Sequence, residues 1–422
     1  MKICRMYGAC CKMAMGIVFV LVAIFANAQE KIDFDKYFED KTVGLEYLRV
    51  GCKDWDTLQI LKKGFWMKHS VWAGSKTNLV DPFNNGHYSV ELRDPQTGKV
   101  LYGRGFNSLF QEYCDTPEGH SEVGSYQEVV LFPKPKVKVD VVMRKRDKDQ
   151  KLQDQKVIVY DPENLDFYEI VNTLDVPVEK IHYVGDVHKK LDIVIIGQGY
   201  ESDSEKLVRD LNMFADNLFS VEPFKRNRNN INVWGTSGMV GAEYNTLGSD
   251  RYCMTTHVFD LYHALDKVPF DQIIIMVNSK KYGGGAIYNF YAVSSVHNMC
   301  GKIMPHELGH SIGGLADEYV DENLSYNEIH PTNLEPLEPN ITTLVDFDSK
   351  WKSMLPPGTT IPTPPVKGLG PKDCGPLGVY EGGGYQKKGI YRPVTNCMMN
   401  YYADFCPVCT KRLEEVIKFY SR

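Results

Sequence analysis

His306, Glu307 and His310 stand within the string His-Glu-Leu-Gly-His. On a helix, residues four apart share one face, so both imidazoles can reach a single metal ion. Glu307 sits beside that face, where it can take a proton from a water that the ion polarises. Leu308 and Ile312 give the same helix an apolar face to bury. The chemistry implied is metal-assisted hydrolysis of a peptide bond. Zn2+ is the ion expected, held by three protein ligands with one position left open. Gly313-Gly314 can end the helix with a positive φ and turn the chain back. Leu315-Ala316-Asp317-Glu318-Tyr319 follows at once and holds the carboxylates from which a third ligand could come.

Metzincins place their third ligand six residues after the second histidine, which here is Ala316 and cannot bind metal. Asp317 lies one residue later, and the doubled glycine can absorb that shift. Asp317 is therefore the preferred third ligand, with Glu318 as the alternative, and whichever does not bind would support a histidine by hydrogen bonding to it. Downstream lies Cys397-Met398-Met399-Asn400-Tyr401. Met398 and Met399 read equally as core packing or as a methionine turn beneath the metal, and the zinc helix favours the turn. Tyr401, or Tyr391, could steady the oxyanion of a tetrahedral intermediate. Gly283-Gly284-Gly285, followed by residues 286–293, could form an edge strand to which an extended peptide adds, or simply a glycine-rich turn.

The elements around these residues divide into two patterns. Between Phe34 and Asp161 the chain reads as short strands, including Tyr88–Leu92 and Lys99–Tyr102 joined by a turn at Asp94–Gly98. Tyr126–Phe132, Val137–Met143 and Lys156–Tyr160 follow, with Arg144–Gln155 as an exposed hairpin loop. The expectation is an antiparallel β-sandwich accessory domain over residues 29–161 that carries no catalytic constellation. Residues 162–190 read as a connector. From Leu191 the pattern becomes α/β: strands at Leu191–Ile196, Ile231–Trp234 and Gln272–Val277, a helix capped by Ser202 or Ser204 and running to Phe219, and a final helix from Cys409 to Tyr420. The fold class expected is therefore a multidomain α+β chain, its sandwich followed by an α/β metzincin-like zinc metallopeptidase domain over residues 191–422. Pro356–Gly384 reads as an irregular surface loop beside a cleft, a natural seat of specificity.

With 48 basic and 54 acidic residues, the net charge of −6 gives no electrostatic basis for a nucleic acid or acidic-membrane partner. Lys2, Arg5 and Lys12 precede an apolar run from Met13 to Phe25 and then Ala26-Asn27-Ala28. That is a signal peptide over residues 1–28, cleaved after Ala28, with an apolar run too short to span a bilayer comfortably. The expected location is secreted, periplasmic or extracellular, with no transmembrane anchor after the leader is removed. Eight cysteines remain, an even number compatible with disulfides in an exported protein. Cys406-Pro407-Val408-Cys409 could be a redox motif or half a zinc site. With no matching pair nearby in sequence, a structural disulfide is the preferred reading. His257, His263 and His297 have no ligand spacing and read as structural or surface residues.

Taken together, these residues resemble the bacterial IgA peptidase family of zinc metalloendopeptidases. The matching segments are Asp192–Tyr200, Val277-Asn278-Ser279 with Tyr282-Gly283-Gly284, and His306–His310 continuing to Tyr319. Tyr385, Gly389-Ile390-Tyr391-Arg392-Pro393 and Asn396-Cys397-Met398-Met399 also match. The resemblance covers Leu191–Arg422, and the preceding β-rich part is similar to an N-terminal domain of some members. It implies zinc endopeptidase activity on a protein or glycoprotein substrate. Extracellular proteins are the expected class, immunoglobulin and other glycoproteins among them, although cleavage of immunoglobulin A belongs to particular members. The rival reading is a surface or glycan-binding protein with a non-catalytic zinc, against which the intact Glu307 argues.

Overall fold

The computed structural model describes residues 31–165, 167–168, 170, 176–321 and 330–422. The expected signal peptide and its cleavage site lie outside them. After the short helix α1 (Phe34–Tyr37) come β1 (Phe38–Cys52), β2 (Trp55–Met67), β3 (Tyr88–Arg93) and β4 (Val100–Phe106). Helix α2 (Leu109–Cys114) leads into β5 (Gly124–Pro135), β6 (Val139–Arg146) and β7 (Leu152–Tyr160). These strands make two antiparallel sheets, ordered β2-β1-β5 and β4-β3-β6-β7. The β3–β4 turn forms because the Asp94 carboxylate accepts from the backbone N–H groups of Gln96 and Thr97, both at 2.9 Å. The expected loop at 144–155 shrinks to residues 147–151, because β6 and β7 keep pairing through Arg146 and Leu152.

β1 and β2 are long strands that alternation does not reveal, because charged residues occupy the interior of β1. Glu46 and Arg49 are both buried there. Arg49 donates from Nε to Glu128 of β5 at 2.8 Å and from Nη1 to Asp56 of β2 at 2.6 Å. Its guanidinium lies 3.8 Å from the ring centroid of Tyr88, on a strand of the other sheet. A buried charge is tolerable only when paired and hydrogen-bonded in this way. Glu46 meets His263 at 2.5 Å, which gives that histidine its structural role.

The second half begins with β8 (Glu179–His182), inside the stretch read as a connector, then β9 (Leu191–Gln198), α3 (Ser204–Ser220) and β10 (Ile231–Ser237). After the two-residue strands β11 (Ala242–Glu243) and β12 (Met254–Thr255) come α4 (Val258–Ala264), β13 (Gln272–Val277), β14 (Gly284–Ile287) and β15 (Tyr291–Ser295). The chain then forms α5 (Cys300–Gly313), the hairpin β16 (Tyr380–Gly383) and β17 (Gln386–Arg392), α6 (Met398–Tyr401) and α7 (Pro407–Tyr420). One six-stranded sheet runs β14-β15-β13-β9-β10-β8. Its four inner strands are parallel, and both edge strands are antiparallel.

The continuous apolar run of β9 is explained by burial on both faces. Leu191, Ile193 and Ile195 join the core that includes α3, α5 and α7. Val194 and Ile196 join a second core that takes in α4 together with Trp66 and Val129 from the N-terminal sheets. Each such side chain contributes about 1.5–3 kcal/mol. α3 presents Leu211, Phe214, Ala215, Leu218 and Phe219 at helical spacing, and its cap is Asp203 rather than either flanking serine. Asp203 accepts from the Lys206 N–H at 2.8 Å, satisfying one of the orphan donors of the first turn.

Residues 33–422 form one compact unit. Lys68 Nζ donates to the Val268 carbonyl, and Asn289 Nδ2 to that of Gly105, both at 2.8 Å, so the N-terminal sheets are tied directly to the second half. Among the described residues, no helix is long and apolar enough to cross a membrane. The eight cysteines from Cys52 to Cys409 are all unlinked, so the expected disulfide involving Cys406 and Cys409 does not form.

Replacing Arg49 with Leu strands Glu128 as a buried carboxylate without its cation and leaves Asp56 with Lys145 alone. Chemical denaturation is expected to show a loss of about 3–5 kcal/mol; a loss below about 1 kcal/mol would contradict the role given to this cation.

Candidate active site

Helix α5 carries the histidine pair and is wedged against β14 and β15 on one side and α3 and α7 on the other. It stops at Gly314, whose φ of +59° suits glycine. The Gly314 N–H returns to the His310 carbonyl at 2.9 Å and the Leu315 N–H to that of Gly309 at 3.1 Å. A Cβ at Gly314 would also stand 2.0 Å from Asn85 Nδ2, so both the turn and the N-terminal neighbour require glycine. The reversed chain brings Asp317 back beneath the helix.

His306 donates from Nδ1 to the Met398 carbonyl at 2.9 Å, and His310 from Nδ1 to the Leu315 carbonyl at 2.6 Å. In their neutral forms both rings are thereby held with Nε2 bare and turned to the site. The two Nε2 atoms lie 3.2 Å apart. Asp317 Oδ1 lies 3.2 Å from the first and 3.5 Å from the second. A tetrahedral ion with bonds of 2.0–2.1 Å separates its ligands by about 3.3 Å, so these three atoms fit three corners of a zinc site. Asp317 Oδ1 is buried and has no hydrogen-bond partner, while Oδ2 accepts from the Tyr385 hydroxyl. An orphaned, aimed oxygen is what an absent cation leaves behind.

Burial disfavours charge on both imidazoles, but Asp317 outweighs it and raises both pKa values, that of His310 to about 9. Burial opposes the Asp317 carboxylate too, yet the histidines hold its pKa far below the ordinary range. Burial pushes the Glu307 pKa up against the pull of His306 and His310. Glu307 stands beside β14: a Cβ on Gly284 would come within 2.8 Å of its Oε1.

Glu318 points the other way, accepting from Asn340 Nδ2 at 2.9 Å and Cys409 Sγ at 3.2 Å, so it is not near the histidines' Nε2 atoms. Met398 supplies the carbonyl under His306, and the Met399 sulfur would be 2.5 Å from a Cβ on Gly309, between the two histidines. Tyr401 lines the cleft but is 67% exposed. Tyr391 does not line it; its side chain packs against the core that includes α5 and α7. The tyrosine over the histidines is Tyr402, whose ring lies 5.4 Å from that of His306. Its φ of +53° turns it inward, a feature with no signature in residue spacing.

The cleft above these residues holds about 650 Å³. Its walls correct two expectations. None of the residues from Pro356 to Gly384 lines it, whereas Asn85, Gln111 and Glu112 from the N-terminal half do. Glu112 is buried there, its pKa raised by burial to about 7, and accepts from the Tyr252 hydroxyl. Of the three glycines, Gly284 and Gly285 line the cleft, but the outward N–H and C=O of Gly284 are already bonded to Arg251 and Cys253. By the alternation of antiparallel pairing, the free edge falls at Ala286.

A helix-borne histidine pair, a converging aspartate and a buried glutamate beside a sheet edge belong to the vocabulary of metallopeptidases. The chain matches the family profile described as IgA Peptidase M64 over residues 180–369 and 370–417. It also matches that described as Peptidase M64 N-terminus over residues 33–156. It belongs to the IgA peptidase M64 family, a family of metallopeptidases, as the resemblance of its residues implied. No curated protein matches the chain.

Tyr385→Phe removes the hydroxyl that holds Asp317. Metal affinity, measured by competition with a chelator, is expected to fall about 10-fold or more; unchanged affinity would show that the hydroxyl does not orient this carboxylate.

Proposed function

We propose that this chain is a secreted zinc-dependent endopeptidase in which His306, His310 and Asp317 hold the ion and Glu307 is the general base. The observation that carries this is the unpartnered Asp317 Oδ1 facing two bare Nε2 atoms, with Glu307 one residue away at the open edge of a sheet. A bound zinc ion supplies Lewis acidity that polarises a carbonyl and acidifies a water. Glu307 takes the proton of that water and hands it to the leaving amine, and its raised pKa suits both transfers. Tyr402, rather than Tyr391, is the hydroxyl proposed to steady the developing oxyanion, with Tyr401 at the rim of the cleft. An extended peptide pairs with β14 at Ala286, and the metzincin-like architecture and packed N-terminal sandwich belong to the same proposal. The leader over residues 1–28 directs export, so the substrate class is an extracellular protein or glycoprotein.

Glu307→Gln tests the assignment because it keeps the shape and removes the base. The variant is expected to retain its metal and lose at least about 100-fold in peptide hydrolysis. A wild type with metal that cleaves no peptide would favour a non-catalytic site instead. Tyr402→Phe is expected to lower kcat about 10- to 1000-fold with little change in KM, and Tyr391→Phe to leave both unchanged. The reverse pattern would return the role to Tyr391.

A further inference from the structure

Behind the histidine pair lies a second group of metal-ligating side chains that the hydrolytic reading does not use. Cys397, Cys406, Cys409 and Glu318 are fully buried, and their ligand atoms lie within 4.8 Å of one another. The sulfurs of Cys397 and Cys409 are 3.7 Å apart. That is far too long for the bond of about 2.0 Å in a disulfide. It is the edge of a tetrahedron whose metal–sulfur bonds are about 2.3 Å. Glu318 completes the set: Oε1 lies 3.2 Å from Cys409 Sγ, and Oε2 is buried without a partner.

The surrounding backbone is arranged for thiolates. The Cys406 N–H points at Cys397 Sγ (3.4 Å) and the Cys409 N–H at Cys406 Sγ (3.5 Å). Cys406 is the N-cap of α7 and Cys409 lies in its first turn, where the helix favours negative charge. Without a cation, three thiols would crowd one buried carboxyl whose second oxygen bonds to nothing. We propose that these four residues bind a second divalent metal ion, zinc by the preference of thiolates, in a closed structural site distinct from the His306–His310 centre. On binding, the protons of the three thiols and any proton on Glu318 are released to solvent. None of the four residues lines the cleft, and four protein ligands leave no open position for catalysis.

The placement gives the ion a function. Glu318 follows Asp317, and its N–H donates to the Met399 carbonyl at 2.8 Å. Cys397 precedes Met398, whose carbonyl holds His306. The second ion therefore pins together the loop bearing Asp317, the turn beneath the histidines and the start of α7. The proposal does not depend on whether the first centre hydrolyses peptides.

Metal content by mass spectrometry and cobalt(II) substitution test it on the purified chain. Two zinc ions per chain are expected in the wild type and one in His310→Ala. After exchange, cobalt should show thiolate-to-metal charge-transfer absorption in the near ultraviolet, in both the wild type and His310→Ala, because only the second site offers sulfur. Cys409→Ser should lose that absorption and one ion; if this variant does not fold, the wild type and His310→Ala decide alone. Charge transfer from a chain with a single ion would uphold the second site and count against the first. Bound cobalt without charge transfer, no bound metal, or a disulfide joining any two of Cys397, Cys406 and Cys409 would overturn the proposal.

Discussion

The bare Nε2 atoms of His306 and His310 exist because each ring has its Nδ1–H anchored to a backbone carbonyl. Those two carbonyls come from Met398 and Leu315, one in a turn almost a hundred residues downstream and one just past the helix end. The site therefore depends on where two stretches of backbone lie, and much of the surrounding fold fixes them. Gly314 reverses the chain so that Leu315 and Asp317 return under α5. Asn340 grips the returning segment by donating to the Ala316 carbonyl and accepting from its N–H. The Glu318 N–H ties the same segment to Met399. His306 and Asp317 are buried and His310 partly so, and the structure holds their three ligand atoms facing one another around a space that a cation fits.

The N-terminal half is part of this construction. Asn85 abuts Gly314, Glu112 meets Tyr252 across the cleft, and Arg49 locks the strand from which Glu46 reaches His263 of α4. Side chains of both halves share one core around Trp66, Val194 and Ile275. A substrate entering the cleft would thus meet both halves of the chain, with β14 and the segment around Asn107 and Gln111 among its walls.

Much of this was legible in the sequence for identifiable reasons. The His-Glu-Leu-Gly-His spacing is local, so helix geometry alone puts both imidazoles on one face. The apolar runs of β9 and β13 announce central parallel strands, and the hairpin at Asp94–Lys99 carries its own turn chemistry. What was hidden depends on contacts between distant residues. β1 carries Glu46 and Arg49 inward because His263 of α4 pairs with the first, and Asp56 and Glu128 of neighbouring strands with the second, which erases the alternation that would have marked it. Tyr402 rather than Tyr401 faces the histidines because a left-handed residue ends α6. Cys397 and Glu318 join Cys406 and Cys409 only when the loop after α5 folds back, so the pair looked partnerless along the chain. Glu112 and Asn85 gave no local signal of any kind.

The central claim is that zinc held by this site makes the chain a peptide hydrolase. Its most direct test is to incubate the zinc-loaded chain with a diverse peptide library and identify new N-termini by mass spectrometry. The prediction is a set of cleavages that vanishes when the ion is chelated and returns when zinc is restored. A library left intact by the zinc-loaded chain, or cleavage indifferent to chelation, would contradict it.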